Sequence, residues 1–445
     1  MTQSLGANQL EPEGDEHEDA SPVQTTPEER RRSLILLSVS LLTIGMGQSL
    51  FFAIFPPAAR DLGMSEVQVS AIFTLSAILW VIMSPIWGSI SDRVGRKPVI
   101  LGGIIGFGVS TFGMGLLLMF GQKGWLPFLS LYVLMILTRA IFGFFGAGAP
   151  TAAQAYVADR TTRRERTSGV AAIGAAFGMG TVIGPGFAAA LAAIDILVPF
   201  FALGIAALIG ALIVAFYLTE RRPPKSRRKK KEQQVNMFDV RLRPFLFMGV
   251  VLSLTQAAVM QVSAFFIMDT LHVSSEETAQ IVGVAMMAMV MATMFAQLVV
   301  IPRFDLSVRS LLSSGIWISL VGNGLLLVPL TTASFVLAMT IIGFGMGLLR
   351  PGVAAGASLA VDTNEQGAAA GYISSTAAVG IIFVPLIAMP LYLIEPTAPF
   401  WLAFILSIAM VVMLRSNQMD ALSETVDSRD VEEKSLSDPS NHSRY

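Results

Sequence analysis

Apolar stretches about 20 residues long recur throughout this chain of 445 residues, and short polar segments separate them. A helix of about 20 apolar residues crosses the roughly 30 Å hydrocarbon core of a bilayer. Because lipid offers no hydrogen-bond partner to backbone groups, each stretch must form a helix. The sequence therefore predicts an all-α membrane protein with about twelve transmembrane helices. The predicted spans are 33–55, 67–90, 99–120, 126–156, 169–193, 197–218, 244–268, 277–301, 310–330, 334–359, 368–391 and 397–414.

The charged, cysteine and histidine residues exclude several classes of protein. Only 14% of the residues are charged, against about 25% in soluble domains. There are 0 Cys, which excludes disulfides and thiolate metal sites, and the 3 His (His17, His272 and His442) are far apart in polar segments. We therefore predict no metal site, no cofactor and no enzymatic activity. Because the basic residues lie in loops beside apolar spans, we expect no nucleic-acid binding.

The longest polar interruption divides the spans into two groups of six. It covers residues 220–243 and contains two prolines and a run of Lys and Arg, so we interpret it as a basic cytoplasmic linker. The linker separates an N-terminal six-helix bundle at 33–219 from a C-terminal six-helix bundle at 244–414. The acidic N-terminal tail, 1–32, and the polar C-terminal tail, 415–445, have too few apolar residues to fold alone and are predicted to be disordered.

Short motifs recur in the same order in the two halves. Residues 145–150 read FGAGAP, and residues 344–351 read FGMGLLRP. Each motif is followed by an aspartate, Asp159 in the first half and Asp362 in the second. Parallel repeats of six spans are typical of transporters. The chain is therefore predicted to form two pseudo-symmetric six-helix bundles.

Lysine and arginine cluster in alternate loops. They precede the first span and follow spans two, four, six and eight, whereas the other loops contain Arg60 and Lys123. Loops rich in Lys and Arg remain in the cytoplasm. We therefore expect a multi-pass protein of a bacterial inner membrane with both termini in the cytoplasm.

The loop after span two reads GSISDRVGRKP from Gly88 to Pro98. The preference for Lys and Arg in cytoplasmic loops explains the cations of this loop, but it does not explain Asp92 or Gly88. A glycine permits close approach of helices, as at Gly88, or a tight turn, as at Gly95. The loop resembles the signature loop of the major facilitator superfamily. That resemblance covers nearly the whole chain except the tails, and it implies a twelve-span transporter.

The resemblance also implies gating roles for this loop. In the family, the aspartate at the position of Asp92 is thought to latch the cytoplasmic side against the start of span eleven. The arginine that matches Arg96 pairs with an acid at the end of span four, and Asp159 matches that acid. The gating residues implied by this part of the resemblance are Gly88, Asp92, Arg93, Gly95, Arg96 and Asp159.

Span four contains Arg139, followed by glycines. An arginine near mid-bilayer costs about 2.5–3.5 kcal/mol on insertion scales, so it is expected to face the bundle interior. The segment resembles the family's span-four motif of an arginine followed by glycines. In efflux members of the family, the matching arginine is implicated in proton coupling.

Span five contains Gly180, Gly184 and Pro185. Small residues permit close helix packing, and a proline favours a kink. The segment is similar to the antiporter motif of the drug:proton antiporter branch, whose core is glycine-x-x-x-glycine-proline. The two glycines that end the family's pattern are Ala188 and Ala189 here. The resemblance implies that Gly180, Gly184 and Pro185 take part in the conformational change.

By the same resemblance, spans one, four, seven and ten line a central cavity. Phenylalanine, methionine and neutral amides on these spans suit a bulky, partly apolar ligand. Arg139 and Arg350 have no Asp or Glu in the middle of any span to balance them, which favours an anionic or zwitterionic substrate. The predicted substrate-binding residues are Gln48, Phe52, Phe55, Arg139, Gln256, Met260 and Arg350.

We therefore expect a monomeric secondary active transporter in the lipid bilayer, exporting a small drug-like or amphiphilic compound in exchange for protons by alternating access. The alternative is an importer or facilitator of a specific organic anion, such as a carboxylate or siderophore-like metabolite. A membrane-embedded enzyme or a channel is disfavoured, because an enzyme needs clustered catalytic groups at membrane depth. The absence of an acid in mid-span leaves the residue that carries the proton unidentified.

Overall fold

The computed structural model describes residues 26–160, 163–220, 236, 239–304, 306–328, 331–362 and 365–415. Twelve helical segments follow one another along these residues, as the sequence predicts. The N-terminal bundle consists of α1 (Pro27–Asp61), α2 (Glu66–Val94), α3 (Arg96–Gln122), α4 (Phe128–Ala158), α5 (Arg163–Ala192) and α6 (Val198–Tyr217). The C-terminal bundle consists of α7 (Arg243–Leu271), α8 (Ser275–Phe304), α9 (Val308–Leu325), α10 (Thr332–Leu359), α11 (Gln366–Ile394) and α12 (Ala398–Leu414).

Length and composition suit these helices to a bilayer. Within the described residues, 9 helices are long and apolar enough to cross a membrane. The other three segments are α9, α11 and α12, of which α9 contains the buried Asn323. The Asn323 amide nitrogen donates to Ser407 Oγ of α12 at 3.1 Å, so this polar group is bonded between helices rather than facing lipid. The predicted fold class, an all-α membrane protein of about twelve spans, is confirmed.

The first helix begins earlier than hydropathy predicts. The predicted tail runs to residue 32, but α1 begins at Pro27, and the Oγ1 of Thr26 accepts a hydrogen bond from the backbone of Glu29 at 3.2 Å. Proline at the first position and acidic residues in the first turn favour a helix start. Hydropathy identifies only the apolar residues of the first span, but the helix continues beyond them into a polar segment of the chain. The rest of the N-terminal tail, the linker residues 221–235 and residues 416–445 lie outside the described residues.

The two bundles meet through equivalent helices. The interface is formed by α1, α2 and α5 on one side and α7, α8 and α11 on the other. The symmetry relates each helix of one bundle to the helix six places away in the other, so α5 corresponds to α11 and α8 to α2. The contact between α5 and α8 is therefore matched by the contact between α11 and α2. This correspondence is what two pseudo-symmetric bundles require.

Small residues bring α5 close to α1. A methyl group added to Gly180 would overlap the carbonyl oxygen of Leu42, and one added to Gly184 would overlap Ser49 Oγ and lie 2.6 Å from the carbonyl oxygen of Met46. The two backbones are therefore in direct contact over this stretch, without side chains between them. The α1–α5 pair forms a rigid unit of the N-terminal bundle.

The other face of α5 meets α8 of the opposite bundle. A methyl group on Gly283 of α8 would lie 2.6 Å from Ala189 Cβ and 2.7 Å from the carbonyl oxygen of Pro185. Ala189 occupies a position where the antiporter motif has glycine. The space that this alanine needs is supplied by Gly283 on the opposing helix. The close approach between the bundles is thereby kept despite the departure from the motif.

We predict that Gly180→Ala lowers the thermal stability of the purified protein. The added methyl group meets backbone that cannot move aside, and overpacking of this kind typically costs about 1–3 kcal/mol. The matched control is Gly178→Ala on the same helix, where no atom lies within 4 Å of the added carbon. Thermal unfolding in detergent should show a loss for Gly180→Ala and an equal or higher midpoint for the control. Equal midpoints for both variants would contradict this packing.

Candidate functional site

The charged residues lie at the two ends of the bundles. We name these ends by the sign of the charge that predominates there. The basic end comprises residues 27–32, 91–97, 158–160, 218–220, 239–243, 303–304, 306–309, 359–362 and 365–366. The acidic end comprises residues 60–66, 122–128, 192–198, 269–277, 325–328, 331–332 and 394–398.

At the basic end of the N-terminal bundle, Arg96 joins two carboxylates. Its Nε donates to Asp159 Oδ2 at 2.9 Å, and its Nη1 lies 2.6 Å from Asp92 Oδ1. Nη1 also donates to Ser91 Oγ at 2.6 Å. The arginine and Asp159 are largely buried, so this pair is shielded from solvent, whereas Asp92 is exposed. The structure thus brings together the three charged residues for which the resemblance implied a shared role.

The described partners of Asp92 all lie in its own bundle. The resemblance implied a latch between Asp92 and the start of α11, but the described ion pair of Asp92 is with Arg96, and its side chain is 63% exposed. Arg93 is also exposed. The expected close helix approach at Gly88 is not seen, because an added methyl group would make an ordinary contact of 3.5 Å with Thr151. The start of α11 lies partly outside the described residues, so the latch implied for Asp92 stays a prediction.

Glu220 belongs to the predicted linker, but in the structure it contacts this cluster. Its carboxylate accepts hydrogen bonds from the backbone nitrogens of Arg96 at 3.3 Å and Lys97 at 2.6 Å, which are the first residues of α3. An anion at a helix N-terminus is stabilised by the helix dipole. Gly95, with a φ of 105°, makes the turn between α2 and α3 that exposes these two backbone nitrogens. Glu220 therefore ties the end of α6 to the signature loop.

A second ion-pair cluster lies at the basic end of the C-terminal bundle. Arg241, just before α7, contacts Asp239 at 2.9 Å and Glu365, just before α11, at 3.0 Å. Hydrogen bonds from Arg241 hold the pKa of Asp239 below its ordinary value. Like Arg96 and its partners, these residues all belong to one bundle. Neither the Arg96 cluster nor the Arg241 cluster therefore joins the two bundles.

The acidic end differs, because here the ion pairs join the bundles. Arg60 of α1 contacts Asp269 of α7 at 2.6 Å and Glu66 of α2 at 2.6 Å. Ser275, at the start of α8, donates through its hydroxyl to the carbonyl oxygen of Pro57 at 3.4 Å. The structure is thus closed at the acidic end by polar contacts between the two halves. From the sequence alone, Arg60 and Asp269 are only charged residues near predicted loops, because their positions along the chain do not show that their side chains meet.

In the interior of the N-terminal bundle, Arg139 is 3% exposed. Its guanidinium lies over the rings of Phe51, 3.8 Å from the centroid, and Phe142, 4.2 Å from the centroid. Within the described residues, neither Nε nor Nη1 has a hydrogen-bond partner, and neither has the Oε1 of Gln48, one turn before Phe51. Arg139 immediately precedes a π-helical turn, Phe142–Gly146, a feature often found at functional sites. The buried position of Arg139 agrees with the prediction that this arginine faces the bundle interior.

In the C-terminal bundle, Arg350 of α10 donates a hydrogen bond to Gln256 Oε1 of α7. It lines a cavity of about 160 Å³ with six other residues. Those residues, from α7, α10 and α11, are Gly249, Leu252, Ser253, Val353, Ile373 and Thr376. The cavity therefore combines one cation, two hydroxyl groups and an apolar wall. Such a lining suits a small amphiphile that carries an acceptor group.

The remaining predicted cavity residues are placed differently. Phe52 is partly buried and stacks on Phe73 with ring centroids 5.1 Å apart, and Met260 is partly buried against the core. Phe55 is 0% exposed and packs on Phe51 and Phe73 in an aromatic core cluster. Phe55 therefore offers no surface to a ligand in this conformation, because α1 is packed on all sides near the closed acidic end.

Comparison with known proteins gives a family and several relatives. The family model of the Major Facilitator Superfamily matches residues 37–305 and 245–439. The chain is 27% identical to Multidrug resistance protein 1 of Bacillus subtilis (strain 168), over 84% of this chain and 94% of that protein. It is 24% identical to Quinolone resistance protein NorA of Staphylococcus aureus (strain MRSA252), over 86% and 96%.

A solved structure with a similar fold is that of a bacterial homolog of the human lysosomal transporter Spinster, in an inward-facing and unoccupied conformation. The TM-score is 0.66 at 14% sequence identity, with 90% of this chain and 98% of that chain covered. At this identity the likeness concerns the fold alone. It agrees with the two-bundle architecture described above.

We predict that Arg139→Met impairs transport while leaving stability nearly unchanged. The two cation–π contacts return about 0.5–2 kcal/mol each, which largely offsets the insertion cost of about 2.5–3.5 kcal/mol. The matched control is Arg96→Met, which leaves two carboxylates unpaired and should lower stability. Thermal unfolding and transport are measured on both variants. A destabilised Arg139→Met protein would show that the arginine is structural.

Proposed function

The chain belongs to the Major Facilitator Superfamily, and from this premise we propose that it exports a small organic compound in exchange for protons. That it is a multi-pass membrane transporter follows from the family and from its apolar helices. The observation that carries the export proposal is the match to a multidrug resistance protein over 94% of that protein's length. A match of this extent covers both bundles, so it is not limited to one shared segment.

The distribution of ion pairs supports an alternating-access cycle. The acidic end is closed by contacts between the bundles, whereas the Arg96 and Arg241 clusters at the basic end each lie within one bundle. In an alternating-access cycle, closure of the acidic end is the arrangement that gives access from the basic end. Because loops rich in Lys and Arg remain in the cytoplasm, we place the basic end on the cytoplasmic side of the inner membrane. An exporter takes up its substrate in this conformation.

The interior supports an amphiphilic substrate with an anionic or zwitterionic group. Arg139 is buried in the N-terminal bundle, Arg350 lines the cavity of the C-terminal bundle, and no Asp or Glu lies in the middle of the predicted spans. Aromatic and methionine side chains supply apolar contact area. We retain Gln48, Phe52, Gln256 and Met260 with the two arginines as the proposed binding residues. Phe55 stays a proposed contact for another conformation only.

One observation favours a second candidate function. The described hydrogen bond of Arg350 is with the neutral amide of Gln256, so its charge is not balanced by a carboxylate there. A transporter that imports or facilitates one specific organic anion would use such a cation for recognition. The direction of flux and its dependence on a pH gradient separate this candidate from export.

We predict that a pH gradient drives substrate flux in proteoliposomes. A quinolone is the first compound to test, since NorA carries that name. An acidic lumen should increase quinolone accumulation by vesicles with inverted protein, and a protonophore should remove the increase. Protein-free liposomes under the same gradient correct for passive partition. Protein-dependent flux that is indifferent to the gradient would exclude proton coupling.

We predict that Arg350→Gln weakens transport of carboxylate-bearing substrates. A hydrogen bond to a charged group is worth about 1.5–3 kcal/mol, so the apparent affinity for a quinolone should fall about tenfold or more. A permanently cationic dye should be transported at least as well as by the unmodified protein. Arg303→Gln, at an exposed arginine of the basic end, is the matched control. An equal loss for quinolone and dye would contradict recognition of the anion by Arg350.

A further inference from the structure

Four polar side chains from four helices meet at the acidic end. Arg60 of α1 contacts Asp269 of α7 through two bonds, from Nη1 to Oδ1 at 2.6 Å and from Nη2 to Oδ2 at 3.1 Å. Nη2 also donates to Glu66 Oε1 of α2 at 2.6 Å. The hydroxyl of Tyr392 of α11 donates to Asp269 Oδ2 at 2.5 Å. We call Arg60, Glu66, Asp269 and Tyr392 the gate cluster.

We propose that Asp269 is the residue that takes up the transported proton, and that protonation opens the acidic end by releasing Arg60. The inference rests on the proposed function, because it names the proton site of the same transport cycle. It also fills the gap that the sequence leaves, since no Asp or Glu lies in mid-span. The gate cluster places a carboxylate between the bundles, where its charge affects their separation.

The division of the gate cluster between the bundles singles out Asp269. Arg60 and Glu66 belong to the N-terminal bundle and form a neutral pair by themselves. Asp269 and Tyr392 belong to the C-terminal bundle, which carries the remaining negative charge. Asp269 therefore needs Arg60 from the other bundle as its counter-ion. Glu66 keeps its partner in either conformation, so its protonation would not separate the bundles.

Accessibility also favours Asp269. Its side chain is 35% exposed, whereas that of Glu66 is 11% exposed. Water at the acidic end can therefore deliver a proton to Asp269. The groups that face it are Arg60, Glu66 and Tyr392, and His272, one turn along α7, is exposed at the surface. Glu276 and Glu277, in the first turn of α8, are likewise exposed.

The chemical step is a simple proton transfer. A proton from water adds to a carboxylate oxygen of Asp269 and gives a neutral carboxylic acid, so the two N–H···O bonds from Arg60 lose their charge assistance. Arg60 stays paired with Glu66, and each bundle then presents a neutral surface. The halves can separate without exposing an unpaired charge to a low-dielectric environment. When the gate cluster closes again, Arg60 displaces the proton from Asp269.

One buried amide without a described partner lies on the inner side of the gate cluster. Gln261 lies two turns deeper on α7 and is 2% exposed. Neither its amide oxygen nor its amide nitrogen has a hydrogen-bond partner among the described residues. Water that enters from the basic end would find its hydrogen bonds there. Release on this side moves the proton in the direction opposite to the exported substrate.

The first test measures gate opening. The chain has 0 Cys, so spin labels at Val67→Cys of α2 and Glu277→Cys of α8 report one distance between the bundles. In the otherwise unmodified protein, lowering the pH should lengthen this distance, because a proton on Asp269 removes the charge that holds Arg60 of the other bundle. Asp269→Asn should show the long distance at every pH. Asp195→Asn should respond as the unmodified protein does, because Asp195 caps Leu197 within one bundle.

A second variant guards against misfolding of Asp269→Asn. Tyr392→Phe keeps the ring and removes the hydroxyl that donates to Asp269. Loss of this hydrogen bond destabilises the charged carboxylate, so the midpoint of opening should move up by about one pH unit. An unmoved midpoint in Tyr392→Phe, or pH-dependent opening in Asp269→Asn, would overturn the proposal.

The transport test separates this proposal from the proposed function. Asp269→Asn should lose quinolone flux driven by a pH gradient, whereas Asp195→Asn should retain it. Gradient-driven flux in Asp269→Asn would overturn the assignment of Asp269 and leave proton-coupled export in place. Gradient-independent flux in the unmodified protein would overturn proton-coupled export, and the assignment of Asp269 with it.

Discussion

A charge inside a bilayer has no water to stabilise it, and this constraint decides where the polar groups of the chain lie. Most ionised side chains are confined to the two ends of the bundles, where headgroups and water solvate them. Arg139 and Arg350 are exceptions within the spans, and each has a substitute for water. Arg139 has two aromatic rings, and Arg350 has an amide and a cavity. Arg350 is exposed at its cavity, whereas Arg139 is enclosed by its two rings in this conformation.

The same solvent explains how the bundles are joined. In lipid there is little hydrophobic force between helices, so association depends on close packing of small residues. On one face of α5, Gly180 and Gly184 bind this helix to α1 of its own bundle, and on the other face Pro185 and Ala189 meet Gly283 of the opposite bundle. The first contact interlocks backbone with backbone. The second brings small groups of the two bundles into close contact.

The sequence predicted the fold well, because spans, loops and their charges are local properties. It also placed Arg96 with Asp159, since the resemblance supplied that pair, and Arg139 in the interior, since lipid excludes it. It could not foresee Glu220 at the start of α3, which depends on where α6 ends relative to α3. Phe55 was expected at a cavity because it shares a helical face with Gln48, but periodicity does not show how far a cavity extends along a helix. In this conformation the helix is packed at that level.

The contact between Arg60 and Asp269 could not be predicted from the sequence for a related reason. The two residues are far apart in the chain, and each looks like an ordinary loop charge. The role of these two residues becomes clear when the ion pairs at the two ends of the bundles are compared. At the basic end, Arg96 and Arg241 each balance acids of their own bundle, so separating the bundles there breaks none of these pairs. At the acidic end, separation breaks a pair. A transporter built in this way prefers access from the basic end until something neutralises Asp269, and a proton is the smallest agent that can do so.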